Sequence, residues 1–179
     1  MERLLKITSR EDIPDMYRDT PVGLLIEYHN LGRKNDEYES AELLVAMCMD
    51  NRKRLFMPDN FAFIIRTGGA NLQHSDFHIS YAISIGRLKH VALIGHTQCG
   101  MVNIRERKEP FVRGLVEVAG WDKITAEDHF ELSEPIYETG NEIEFTRAQT
   151  RRLRELYPGI TIAPFIYRVE DNLLYLIKE

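Results

Sequence analysis

Three short apolar runs constrain this chain most: Leu43 to Met49, Phe61 to Ile65 and Val91 to Ile94, each of strand length and bounded by polar or glycine-rich residues. All three read as buried strands. Between the second and third, Ser75 opens a stretch carrying Phe77, Ile79, Tyr81, Ala82, Ile83 and Ile85, long enough for a helix and closed by Gly86. Strand, helix and strand in that order predict a parallel crossover and an α/β fold.

The remaining segments attach to that unit. Thr20-Pro21 is a cap followed by a first-turn proline, so a helix is expected over Val22 to Tyr28 with a stop near Asn30 to Gly32. Residues 1–40 read as a peripheral helical arm of the same domain. Leu24, Leu25 and Tyr28 share one face of that helix, available to pack on the parent domain or on a partner subunit. From Met101 to Asn141 the chain is charged and helical, with pieces over Phe111 to Val118 and Thr125 to Tyr137. Glu142 to Tyr157 sets Ile143, Phe145, Leu153 and Leu156 among charges, and Pro158-Gly159 breaks it. Ile160 to Tyr167 and Leu173 to Ile177, joined through Glu170-Asp171-Asn172, predict a hairpin at the C-terminal edge. With 179 residues and no repeats or linkers, residues 41–179 form one α/β domain.

Charge narrows the function. A net charge of −5 with mixed signs disfavours nucleic-acid and membrane-surface partners, which select basic patches. Met1 to Arg10 lacks the apolar block of a signal peptide, and no run approaches the ~20 apolar residues of a membrane span, so a cytoplasmic protein is expected.

Both cysteines sit in motifs. Cys48 lies in Met47-Cys48-Met49-Asp50-Asn51-Arg52, and Cys99 in His96-Thr97-Gln98-Cys99-Gly100. Reduced thiols are expected in that compartment, which favours a metal over a disulfide. Two thiolates and an imidazole suit zinc, and three protein ligands leave one tetrahedral position for water or substrate. Cys48 ends the first strand and His96 follows the third, at the carboxyl ends where open α/β sheets gather ligands. In an extended stretch Cys48, Asp50 and Arg52 would all point the same way, placing a carboxylate and a guanidinium beside the metal. A helix starting near Cys99 would favour its thiolate. Taken singly, Asp50 and Arg52 are an ordinary ion pair and His96 a core histidine; their conjunction at separate strand ends favours a site. His29, His74, His78, His90 and His129 have no such support and read as surface or core residues.

At this point the chain resembles the β-class carbonic anhydrases. The match runs through Cys48-Met49-Asp50-Asn51-Arg52, Asp59-Asn60-Phe61, Arg66-Thr67-Gly68-Gly69 and Gly95-His96-Thr97-Gln98-Cys99-Gly100-Met101, covering about Leu43 to Met101. The resemblance implies a mainly parallel sheet flanked by helices, Zn2+ on Cys48, His96 and Cys99, and an Asp50/Arg52 catalytic dyad. It also implies a homodimer or multiple of dimers, with N-terminal helices crossing onto the partner. The implied reaction is reversible hydration of carbon dioxide to bicarbonate and a proton by zinc-bound hydroxide. In a closed form Asp50 would be the fourth ligand. The alternatives are a carbonyl sulfide or carbon disulfide hydrolase on the same scaffold, or a catalytically weak zinc-containing binding or regulatory module. The chain departs from the family at Asn51, where serine is common, and at Thr67-Gly68-Gly69-Ala70, where Asn-Ala-Gly-Asn is common. The usual glutamine before the cysteine motif is not evident, and the segment from Arg105 to Asn141 is poorly matched.

Overall fold

A computed structural model describes residues 3–178; Met1 and Glu2 of the expected arm and Glu179 of the domain lie outside the described residues. Its centre is a six-stranded sheet in the order β1-β6-β5-β4-β2-β3, formed by β1 (Leu4–Lys6), β2 (Leu43–Cys48), β3 (Ala62–Thr67), β4 (His90–His96), β5 (Thr161–Arg168) and β6 (Leu173–Ile177). β3, β2, β4 and β5 are mutually parallel, in register Leu43↔Ala62, Val45↔Ala92 and Ala92↔Ala163. β5 and β6 make the expected antiparallel hairpin, and β1 extends it by one further antiparallel strand, Leu4 opposite Ile177.

Alternation along β2 builds two cores. Leu43, Val45 and Met47 face one cluster with Ala92, Ile94 and Phe165, while Leu44 and Ala46 face another with Val91, Leu93 and Ile162. The first is covered by α1 (Asp15–Arg18) and α2 (Pro21–Leu31), through Tyr17, Val22 and Leu25, the second by α3 (Asp76–Ser84) and α6 (Glu142–Leu156), through Ile79, Ala82 and Leu153.

Two expectations are corrected. The stretch read as a peripheral helical arm opens with β1, and α2 is a core element: Val22, Leu25 and Ile26 are fully buried and Tyr28 nearly so. Asn30 explains the docking, because its side chain donates to the Ile7 and Leu174 carbonyls and accepts from the Leu174 N–H, bridging helix and sheet. β3, read as buried, lies at the edge of the sheet, pairing among the described residues with β2 alone, and leaves Phe63 and Ile64 about half exposed, at 45% and 47%. Position at the edge, not composition, decides that burial.

The poorly matched segment is a helical pair, α4 (Lys108–Ala119) and α5 (Lys123–Tyr137), with a small core of Val112, Ala126 and Phe130. No helix among the described residues is long and apolar enough to cross a membrane.

Candidate metal centre

Cys48 is the last residue of β2 and His96 the last of β4, and the two strands are adjacent and parallel with Met47 beside Ile94. Parallel pairing therefore delivers both side chains to one end of the sheet. The next turn adds Cys99, and one ligand atom from each of the three lies within 4.8 Å of the others. All three residues are buried, with 3%, 1% and 6% of their surface exposed.

The local backbone serves this meeting. Gly95 admits α6 against β4, since a Cβ there would lie 2.3 Å from Thr146 Oγ1. Thr97 N–H donates to the Tyr167 carbonyl, and Thr97 Oγ1 and Gln98 Nε2 donate to the two carboxylate oxygens of Glu170, fastening the loop to the end of the β5–β6 hairpin. Gln98 takes a left-handed conformation (φ +58°) that turns the chain so that Cys99 comes back to the cluster. No helix starts at Cys99 as expected; its N–H faces Glu142 Oε1 at 3.4 Å, and its sulfur accepts from Met101 N–H at 3.5 Å.

The donor set fits a soft or borderline divalent metal. His96 Nδ1 donates to the Thr97 carbonyl at 2.8 Å, which fixes the tautomer that leaves Nε2 as a lone-pair donor. That Nε2 is buried and has no hydrogen-bond partner. The neighbouring Cys99 sulfur pulls Cys48 well below the usual thiol range, and the Cys48 sulfur in turn pushes Cys99 above it. An orphaned imidazole nitrogen beside two free buried sulfurs is a donor set that could hold a metal ion.

Asp50 and Arg52 stand beside this cluster, joined by a turn and not by the expected alternation of an extended strand. β2 ends at Cys48, and Asp50 Oδ1 accepts the Arg52 backbone N–H at 2.9 Å, closing the turn. The guanidinium then grips the carboxylate with Nε at 3.1 Å from Oδ1 and Nη2 at 2.7 Å from Oδ2. This bidentate pairing holds the Asp50 carboxyl far below the usual carboxylate range, despite burial, which opposes it. Arg52 Nη2 also donates to the Gln98 carbonyl at 2.9 Å.

The structure adds contacts that the motifs did not specify. Arg66 Nη1 donates to the Cys48 carbonyl, and Lys53 is buried within 3.6 Å of Asp50 Oδ2. The end of the α4–α5 segment returns to the site, where Glu138 accepts from Asn103 and Ile104 N–H and Thr139 N–H donates to the Met101 carbonyl. Thr139 presses on Gly69, whose left-handed conformation (φ +63°) and lack of a side chain are both needed: a Cβ would sit 2.5 Å from Thr139 Cγ2. The departure Thr67-Gly68-Gly69-Ala70 and the poorly matched segment are thus one packing arrangement. Of the remaining histidines, His29 is buried between Phe56 and Tyr167 rings, and none joins the cluster. A cavity of about 610 Å³ lies along α4 and α5 and is lined by Arg105, Lys108, Val112 and Glu127, away from the cysteines.

No protein-family model matches the chain, and no curated protein does. Solved structures do. A carbonic anhydrase from Glaciozyma antarctica superposes with a TM-score of 0.61 at 22% identity, covering 78% of this chain and 84% of the other. β-Carbonic anhydrase isoform I from Trichomonas vaginalis gives 0.61 at 17% identity, covering 83% and 90%. The apo form of a carbon disulfide hydrolase gives 0.53 at 22% identity, covering 75% and 77%. The fold is that of the β-carbonic anhydrases.

Proposed function

We propose that this chain, which carries the β-carbonic-anhydrase fold, is a zinc-dependent carbonic anhydrase that interconverts carbon dioxide with bicarbonate and a proton. One observation carries the reading: the orphaned Nε2 of His96 meets the Cys48 and Cys99 sulfurs in a buried cluster beside the Asp50–Arg52 pair. Zinc is the metal these ligands favour, and when bound it makes an attacking water acidic enough to react near neutral pH.

The chain's own residues do the rest. Cys48, His96 and Cys99 would hold the metal at the end of the sheet, where the reacting oxygen enters. Asp50, kept ionised by Arg52, accepts that oxygen's hydrogen and aims its lone pair at the substrate carbon. Arg52 fixes the direction of Asp50 because its guanidinium holds both carboxylate oxygens and the Gln98 carbonyl at once. We also read the working form as a cytoplasmic homodimer or multiple of dimers.

The similarity to a carbon disulfide hydrolase supports a second reading, in which the same machinery attacks carbon disulfide or carbonyl sulfide. Parallel assays of the zinc-loaded protein discriminate them. Rapid carbon dioxide hydration without sulfide release from the sulfur substrates is expected; sulfide release without hydration would replace the first reading with the second.

A further inference from the structure

Lys53 is the side chain that the proposed chemistry leaves unexplained. It is only 1% exposed, and its Nζ is buried without a hydrogen-bond partner. Removing an ammonium from water costs several kcal/mol unless opposite charge compensates. The groups that face it are Asp50, with Oδ2 at 3.6 Å, and the sulfurs of Cys48 and Cys99; their attraction opposes burial, which is the larger effect and lowers the Lys53 pKa.

Asp50 is therefore bracketed by two cations of different character. Arg52 holds it through hydrogen bonds, but that side chain is 43% exposed, and exposed pairs are worth little against a competing divalent metal. Lys53 acts from the buried side, where water and salt screen least. If Asp50 moved onto the metal, it would lose the Arg52 hydrogen bonds and leave the Lys53 ammonium without its nearest carboxylate. That penalty opposes the carboxylate's attraction to the metal.

We propose that Lys53 is a positioning residue that keeps Asp50 on Arg52 and off the metal, so that the fourth coordination position stays free for the reacting oxygen and for anions. The inference rests on the metal reading of Cys48, His96 and Cys99. It adds to that reading a residue outside both motifs, with a defined effect on ligand exchange.

The test uses the full chain loaded with cobalt(II) in place of zinc, and azide as the probe anion. Thiolate-to-cobalt charge-transfer absorption reports whether the metal sits on the cysteines, independently of Lys53. The shift of the visible cobalt bands with azide reports whether the fourth position exchanges. Wild type should show both. Lys53→Met should keep the charge-transfer absorption but bind azide roughly tenfold more weakly or worse, a difference of about 1.4 kcal/mol. Adding Asp50→Asn to Lys53→Met should restore the azide response, because the competing carboxylate is gone. If Lys53→Met fails to fold by circular dichroism, Lys53→Gln takes its place in both single and double variants. Azide binding equal to wild type in the folded single variant would overturn the proposal. So would a loss that Asp50→Asn does not repair, which would make Lys53 itself the anion's partner. Absence of charge-transfer absorption in wild type would remove the metal reading, and the proposal with it.

Discussion

Arg52 Nη2 donates to the main-chain carbonyl of Gln98 at 2.9 Å, so the guanidinium that grips Asp50 is also anchored between His96 and Cys99. The two halves of the site come from strands separated by a crossover, and this contact ties the loop after β2 to the loop after β4. Orientation of Asp50 and of the ligand loop are consequently coupled.

Arg52→Ala removes both the clamp on Asp50 and the tie to Gln98. Hydration, measured as kcat/KM, should fall roughly 100-fold, the scale of a misplaced acid–base group. Arg52→Lys should recover little, because one ammonium cannot reproduce the planar fork that reaches Asp50 and Gln98 together. Full activity in the lysine variant would show that charge alone suffices.

Gly95→Ala tests the packing beneath His96. The new methyl group would lie 2.3 Å from Thr146 Oγ1, which itself donates to the Glu142 carbonyl at 2.7 Å. Overpacking at a fully buried strand should cost about 1–3 kcal/mol in urea unfolding and weaken metal retention, because His96 is the next residue of β4. Unchanged stability with unchanged metal content would contradict the close approach of α6 to β4.

Metal removal should abolish hydration while leaving the fold. The sheet is covered on both faces by two apolar clusters that owe nothing to the cysteines, so chelation should leave the far-ultraviolet circular dichroism intact. It should lower stability only by the binding free energy, about 2.7 kcal/mol for free metal at 100 times its dissociation constant. Unfolding on chelation would make the centre a structural staple.

His29 gives the stability a pH dependence. Burial lowers its pKa below the ordinary 6.5, against a smaller raising contact with the Asn172 backbone, so the unfolded chain binds the proton more readily than the folded one. Its contribution is thus fully present above about pH 6.5 and is lost as pH falls through the depressed folded value. Protonation would also turn Nδ1, which accepts the Phe56 N–H at 3.1 Å, into a donor facing a donor. The urea midpoint should drop between about pH 7.5 and about pH 5.5, and drop less in His29→Gln. An equal drop in both proteins would assign the effect to other groups.

The legible part of this molecule was the part written in rare residue types at strand ends. Cys48, Asp50, Arg52, His96 and Cys99 lie within a few residues of one another in two short motifs, and parallel pairing of β2 with β4 joins them. The crossover helix and the β5–β6 hairpin were legible for a similar reason, since each is a local pattern. Lys53 was not, because lysine reads as surface and the groups that face it, Asp50 and the cysteine sulfurs, are assembled only by the fold. Glu170 reaches Thr97 and Gln98 across more than 70 residues, and the three-residue β1 finds β6 at the other end of the chain. No local periodicity encodes such approaches. The half-exposed face of β3 was missed because apolar composition does not say which strand will be the edge.

The most direct measurement is the carbon dioxide hydration rate, followed by stopped flow, as zinc is titrated into metal-free protein. The account predicts a rate that climbs with added zinc, breaks at one zinc per chain, and stays at the uncatalysed level in Cys48→Ser. A wild-type rate indistinguishable from uncatalysed hydration at every zinc content, or the same rise in Cys48→Ser, would contradict it.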